Sequence, residues 1–352
     1  MKKWLKLLFF VYLFILAIEL IKKTSAFLAP DITNFLLQNP HPIEAISIGW
    51  FTTALVQSSG AVGSIAAAFA GNEIISLQTA VYILLGASLG TTITALLISV
   101  ITLSKRRRDF RHGFEIGLCY AIYSALLVFI VFFMEYFFKL FSNTSFFLAS
   151  KVSETAFLTK VPNIIDIITF PIIGIFLGKV NNLLLLVFAF FILIFALKFI
   201  STSVVDVFGG EEKTRKFINR HFNSKFKAYF LGAFITAIIF SSSISISFLV
   251  PLAVSRLISL RQTIPFILGA DLGTVTDVLV ASIVLGQVNA FATFIAFLMF
   301  GIIGALIFLP NIEFLFKITK YTSKKLINIS RRKALYFLLA FILIPLILIL
   351  VF

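Results

Sequence analysis

Two short serine clusters stand in otherwise apolar sequence, within Gln57-Ser58-Ser59-Gly60 and Phe240-Ser241-Ser242-Ser243. A serine hydroxyl is a donor that rotates to fit a tetrahedral oxygen atom, and the first N–H groups of a helix carry partial positive charge. A helix that starts at such a cluster can therefore hold an oxyanion without Lys or Arg. Small residues also permit close helix packing, but two related clusters in corresponding positions favour an anion site. The candidate donors are Ser58, Ser59, Ser241, Ser242 and Ser243.

A second pair of motifs follows, at Gly86-Ala87-Ser88-Leu89-Gly90-Thr91-Thr92 and Gly269-Ala270-Asp271-Leu272-Gly273-Thr274. Glycines with this spacing are a helix-packing signature. If the helix instead unwinds at the glycines, freed carbonyls can join hydroxyl and carboxylate oxygens around a hard cation. Both interpretations stay open from the residues alone. The candidate cation ligands are Gln57, Thr91, Thr274 and Asp271.

Two carboxylates, Asp271 and Asp277, lie well inside an apolar segment. A carboxylate is costly at such a place and usually functional. Asp271 is the better cation ligand because it falls inside the second motif. Asp277 is either a second ligand or a proton carrier.

Both motifs belong to an internal repeat. Residues 49–99 recur at 232–282 with a constant offset of 183, and 19 of the 51 aligned positions are identical. The serines are kept, whereas Gln57 aligns with Phe240, Ser88 with Asp271 and Thr94 with Asp277. The shared serines predict a common anion site, and the unmatched positions predict where a cation binds.

Composition places these motifs in a membrane protein. Apolar residues make up 60% of the 352-residue chain and charged residues only 13%, which is too little polar surface for a soluble protein of this size. The net charge of +15 is gathered in short clusters between apolar runs, as in cytoplasmic loops, so nucleic-acid binding is not expected. The single Cys119 excludes an internal disulfide and a cysteine-based metal site. The chain has no recognisable acid–base constellation, so we expect neither an enzyme nor a resident cofactor.

The elements that position the motifs are predicted from the apolar runs. The runs at 43–70 and 228–254 are interrupted by their serines and predict helical hairpins that re-enter on one side; the alternative is a single tilted helix. The runs at 76–102 and 261–285 predict broken transmembrane helices. The predicted class is an all-α, multi-pass protein of the inner (plasma) membrane.

Charge clusters indicate the topology. Those at 105–111, 213–227 and 317–333 should all be cytoplasmic. This holds if 163–180, which is short and contains proline, does not cross the membrane, and the two repeats are then inverted. The predicted organisation is a first repeat at 1–138, a connecting segment at 139–181, a second repeat at 182–309, and a basic amphipathic segment with a final membrane helix at 310–352.

At its two motif pairs the chain resembles the type II sodium–phosphate cotransporter family. That family is marked by two QSS(S/T) segments, each followed by Gly-Ala-Asn-(Ile/Leu)-Gly-Thr. The resemblance covers roughly 43–102 and 228–285. It implies sodium-driven uptake of inorganic phosphate by alternating access, with paired hairpins forming the substrate site and sodium as the coupling ion.

The chain departs from that family pattern at several motif positions. Phe240 replaces the family's second glutamine, and Gly60 replaces a serine. The two asparagines of the family are replaced by Ser88 and Asp271. An aspartate in place of an amide strengthens a cation site and weakens an adjacent anion site. Because the final apolar run lies at 334–352, we expect the protein to lack the regulatory domain that many bacterial relatives append, and we expect any phosphate sensing to come from a separate regulatory protein.

The resulting hypothesis is sodium-coupled symport of phosphate across the lipid bilayer. One alternative is a proton-coupled carrier or an exporter of another anion, with Asp271 or Asp277 titrating. Another is a non-transporting membrane scaffold that uses the small residues only for helix packing. Ion stoichiometry, transport direction and oligomeric state stay open.

Overall fold

A computed structural model describes most of the chain: residues 4–10, 40–71, 73–101, 107–152, 164–181, 224–239, 241–285, 287–327 and 331–352, with scattered positions in 12–20 and 184–199 and Phe222. All regular elements in these ranges are helices. The predicted all-α class is therefore confirmed for the described residues. Phe240 and most of 182–221, including the first part of the charge cluster at 213–227, lie outside them.

Fifteen helices with defined bounds follow one another in the described ranges. The part of the chain with the first motifs contains α1 (Pro42–Val56), α2 (Ser59–Gly71), α3 (Leu77–Thr91) and α4 (Ile93–Ile101). Then come α5 (Arg107–Phe138), α6 (Leu140–Val152) and α7 (Ile164–Phe176). The second motifs lie on α8 (Lys225–Ile239), α9 (Ser242–Ser247), α10 (Leu249–Val254), α11 (Leu260–Gly273) and α12 (Thr276–Leu285). The chain closes with α13 (Val288–Phe308), α14 (Ile312–Ile327) and α15 (Arg331–Val351).

The repeat offset of 183 also relates the helix boundaries. Both α1 and α8 have 15 residues, and their first and last residues align at that offset. The Ile-Ser-Leu shared by the repeats marks the next helix start, because Ser76 precedes α3 and Ser259 precedes α11. The Ser76 Oγ accepts the Thr79 amide at 3.0 Å, which satisfies one of the unpaired donors at a helix N-terminus.

Glycine allows the motif helices to pack backbone to backbone. A Cβ built on Gly86 would collide with the Ile46 carbonyl of α1, and one built on Gly269 would collide with the Tyr229 carbonyl of α8. The two contacts are equivalent at the repeat offset. Any side chain at either position would separate the helix pair, so the glycines fix how α3 lies on α1 and α11 on α8.

Three helical stretches in the described residues are long and apolar enough to cross a membrane: 77–101, 110–138 and 288–308. Shorter apolar helices occupy 42–56, 59–71, 242–254 and 335–351. Large apolar side chains such as Phe137, Phe230 and Leu306 are exposed on the outer surface, as expected for residues that face lipid rather than water. These features support a membrane protein.

The amphipathic helix α14 is tied to the bundle by an ion pair. Lys320 Nζ lies 2.5 Å from the buried Glu115 carboxylate on α5. The Ser323 hydroxyl also donates to Glu115, at 3.4 Å, and Arg111 Nε lies 3.5 Å from it. A carboxylate buried among apolar helices is tolerated because these groups compensate its charge.

Candidate functional site

The two serine clusters meet in the interior of the molecule. The Ser243 hydroxyl donates to the Gln57 carbonyl at 3.1 Å and lies 3.0 Å from the Thr91 hydroxyl. Because Ser243 has a single proton, Thr91 donates in the second contact. All three residues are buried. This contact joins motif residues that are 186 positions apart in the chain.

Gln57 occupies the break between α1 and α2. Its backbone is left-handed, with φ 57° and ψ 28°, and its N–H donates to the Thr53 carbonyl at 2.7 Å. A non-glycine residue in this region costs roughly 1–2 kcal/mol, so surrounding contacts must hold it there. One such contact is from the Thr94 hydroxyl to Gln57 Oε1, at 3.5 Å.

One serine of each cluster caps the helix that follows. The Ser58 Oγ accepts the Ala61 amide at 3.1 Å, and the Ser241 Oγ accepts the Ile244 amide at 3.3 Å. These are N-cap contacts, with the serine oxygen as acceptor. Each capping hydroxyl keeps its proton for donation to another group. Each cluster therefore combines a structural task with a hydroxyl proton that the cap does not use.

Asp271 lies between two tyrosines of α5. The Tyr120 hydroxyl donates to one carboxylate oxygen at 3.1 Å, and the Tyr123 hydroxyl donates to the other at 2.9 Å. All three side chains are buried. The Tyr120 hydroxyl also lies 3.4 Å from the Ser242 Oγ. Hydrogen bonds thus connect the second serine cluster to the buried carboxylate.

The corresponding position in the first repeat is polar but neutral. Ser88 aligns with Asp271 at the repeat offset, and its hydroxyl lies 3.4 Å from that of Ser124. Ser124 follows Tyr123 on α5. One helix therefore supplies polar partners to both repeats, and only the second repeat receives a charge there.

The glycines of the second motifs do not unwind their helices. Gly86 and Gly90 lie within α3, and Gly269 and Gly273 lie within α11. Of the two interpretations that the sequence leaves open, this favours helix packing for Gly86, Gly90 and Gly269, whereas Gly273 is the last residue of α11.

The helices are interrupted just after the glycines, where hydroxyls cover the carbonyls. The Thr92 hydroxyl donates to the Leu89 carbonyl at 2.8 Å, and the Thr276 hydroxyl donates to the Gly273 carbonyl at 2.9 Å. Thr274 is buried at the C-cap of α11, three residues beyond Asp271. These interruptions are local and do not expose a row of carbonyl oxygens.

Asp277 lies against the first turn of α2. A Cβ built on Gly60 would overlap the Asp277 side chain, with the carboxylate oxygen as its nearest neighbour. Asp277 is half-buried. The structure thus brings the two acidic residues to different serine segments, Asp277 to the first and Asp271 to the second.

Sequence reasoning missed the tyrosines. It identified Gln57, Thr91 and Ser243, which lie together, and Ser242 and Asp271, which lie in a neighbouring group. Tyr120 and Tyr123 join this second group from α5. The available signal was two tyrosines three residues apart, on one face of a helix, in an apolar segment.

Curated proteins with detectable similarity are sodium-dependent phosphate transport proteins. The protein 2A of Ovis aries and that of Mus musculus are each 30% identical over 116 residues, which are 31% of this chain and 17% of theirs. The protein 2B of Homo sapiens is 26% identical over 112 residues, 31% of this chain and 16% of its own. The similarity therefore covers less than a fifth of those longer proteins. No solved structure matches the chain significantly.

The family comparison covers much more of the chain. Residues 13–157 and 192–322 match the family described as Na+/Pi-cotransporter. The matched ranges include both serine clusters, both glycine motifs and the α5 tyrosines. The chain belongs to the Na+/Pi-cotransporter family.

Proposed function

We propose that the protein carries phosphate across the membrane by sodium-coupled symport with alternating access. The observation that carries this proposal is the contact of Ser243 with Gln57 and Thr91, which brings the two serine clusters to one place. Family membership supports the same substrate pair. We therefore propose a transporter rather than an enzyme.

The anion half of the site is built from serine donors. Ser58, Ser59, Ser241, Ser242 and Ser243 are all buried, and α2 starts directly at its cluster. Hydroxyl and backbone donors at a helix start bind an oxyanion through hydrogen bonds and a partial positive charge. The capping serines contribute the protons that their caps leave unused.

The cation half is built from Gln57, Thr91, Thr274 and Asp271. These residues offer amide, hydroxyl and carboxylate oxygens, the atoms that hard cations prefer. The serine and glycine motifs contain no Lys or Arg, so the motifs themselves supply no fixed cation to balance a bound phosphate. An unbalanced charge is expensive in a medium of low dielectric constant. Sodium that binds with phosphate offsets this cost, and this is the physical basis of the coupling.

Alternating access follows from the duplication. In this proposal the segments 43–70 and 228–254 are re-entrant hairpins, the repeats are inverted, and the plasma membrane holds the protein. The serine contact lies between halves of opposite orientation, so a rocking motion of one half exposes the site to each face in turn.

Uptake of radiolabelled phosphate into proteoliposomes tests the proposal. An inward sodium gradient should drive accumulation, and an equal potassium gradient should not. Excess unlabelled sulfate tests the choice of oxyanion. Uptake that ignores sodium would refute the coupling mechanism.

A proton-coupled carrier is the second candidate. The observation that supports it is the buried carboxylate of Asp271, whose two oxygens each accept a hydrogen bond from one tyrosine hydroxyl. Accumulation driven by a pH gradient in sodium-free medium would favour this candidate. A scaffold role, which the glycine packing alone supports, predicts no thermal stabilisation by sodium and phosphate together.

A further inference from the structure

Tyr120 lies between the two halves of the proposed site. Its hydroxyl oxygen is 3.1 Å from Asp271 Oδ1 and 3.4 Å from Ser242 Oγ. Tyr120 is fully buried, on a helix outside both pairs of motifs. It therefore contacts one proposed cation ligand and one proposed anion donor at the same time.

The single phenolic proton limits these contacts. A phenol donates one hydrogen bond, and the carboxylate of Asp271 is a stronger acceptor than the hydroxyl of Ser242. In the arrangement observed, Tyr120 donates to Asp271, and Ser242 must donate to Tyr120 for the second contact to be a hydrogen bond. The Ser242 proton is then directed away from any anion.

We propose that Tyr120 is a positioning residue that couples cation binding to anion binding. This rests on the proposed function. A sodium ion on Asp271 takes over the lone pairs that accept the Tyr120 proton. The phenol O–H then turns to Ser242, and Ser242 turns its own proton to the phosphate. Each hydroxyl keeps its proton, and only the direction of donation changes.

Tyr123 provides a matched comparison within the same helix. Its hydroxyl donates to Asp271 Oδ2 at 2.9 Å, and on its other side it abuts Gly304 of α13. It thus shares the carboxylate with Tyr120 but faces α13 instead of the serine cluster. Loss of the Tyr123 hydroxyl should alter sodium affinity without altering the coupling.

The test is the phosphate dissociation constant of the full chain in detergent, measured with radiolabelled phosphate in saturating sodium and in choline. The dissociation constant in choline divided by the dissociation constant in saturating sodium is the coupling factor. In Tyr120→Phe this ratio should fall about fivefold, because Ser242 is no longer held in the sodium-free state. In Tyr123→Phe it should stay within about twofold of wild type, once sodium is saturating.

A double-mutant cycle with Ser242→Ala completes the test. Ser242→Ala should itself lower the coupling factor, and adding Tyr120→Phe should lower it no further. If the melting temperature shows that Tyr120→Phe folds poorly, Ser242→Ala by itself serves as the second measurement, and an unchanged ratio in that variant overturns the inference. An unchanged ratio in Tyr120→Phe, or an equal loss in Tyr123→Phe, overturns the inference alone. A wild-type ratio of one overturns the proposed function and the inference with it.

Discussion

The side chain of Asp277 occupies the space in front of Gly60, where any side chain at position 60 would project. Gly60 aligns with Ser243 at the repeat offset, and Asp277 aligns with Thr94. The two departures from repeat symmetry are therefore one packing relationship. The first cluster has a glycine instead of a serine at the place where the second repeat contributes the carboxylate of Asp277. This gives the first serine segment a negative charge beside its helix start.

A side chain at position 60 should destabilise the protein through this contact. Gly60→Ala is expected to cost about 1–3 kcal/mol, the usual penalty for overpacking. Combining it with Asp277→Gly removes the overlapping atoms and should recover most of the loss. Thermal unfolding in detergent measures both effects.

Gly174→Ala is the matched control for that prediction. Gly174 also lies inside a helix, but the nearest atoms that a Cβ there would meet belong to the Phe170 ring, at an ordinary contact distance of 3.5 Å. Its substitution should change stability by less than about 1 kcal/mol. If the double variant is no more stable than Gly60→Ala, the steric relationship is not the cause.

Much of the architecture was accessible from sequence because it follows from local patterns. Apolar length predicts membrane helices, and the paired Ser76 and Ser259 mark equivalent helix starts. The tyrosine contacts could not be predicted, because Tyr120 and Asp271 are 151 positions apart. The spacing of apolar residues along the chain does not indicate which distant residues come into contact. The role of Gly86 was ambiguous, since packing and unwinding need the same residue. Only the position of the Ile46 carbonyl decides it.

Asp271→Asn should weaken the response to sodium more than the binding of phosphate. The amide replaces one of the two carboxylate oxygens by an NH2 group, so one of the two tyrosine hydroxyls faces a donor instead of its acceptor. The amide also lacks the charge that attracts a cation. The sodium concentration for half-maximal uptake should rise about tenfold, a change of about 1.4 kcal/mol.

Asp277→Asn separates this effect from a general loss of negative charge. It changes the same functional group beside the other serine segment, and sodium activation should change by less than about threefold. Equal shifts in the two variants would show that Asp271 has no special place in cation binding. If Asp271→Asn leaves the sodium dependence of uptake unchanged, Asp271 is not part of the cation site.

Ser58→Ala should lower stability through the cap of α2. The Ala61 amide would lose its acceptor, and the loss of such a cap costs about 1 kcal/mol. Ser58→Thr keeps the hydroxyl that accepts the Ala61 amide, so it should retain most of the stability that Ser58→Ala loses. Denaturant unfolding gives the comparison.

Ser64→Ala provides the control on the same helix. The Ser64 hydroxyl donates at 2.7 Å to the Gly60 carbonyl, so its removal leaves the backbone bonds of the helix in place. We expect a loss below about 0.5 kcal/mol. A larger loss for Ser64→Ala than for Ser58→Ala would contradict the capping role.

Lys320→Met should loosen α14 from α5. The methionine keeps an apolar stem but removes the ammonium from the Glu115 carboxylate, which is 1% exposed. Among the described residues, Arg111 Nε at 3.5 Å and His112 Nδ1 at 3.7 Å still lie beside this carboxylate. Incomplete compensation of this charge should cost about 1–3 kcal/mol. Lys324→Met is the matched control, because Lys324 is an exposed residue of the same helix, and it should cost less than about 0.5 kcal/mol. Equal melting temperatures for the two variants would mean that apolar contacts, such as those of the buried Leu315, hold the helix in place without help from the ion pair.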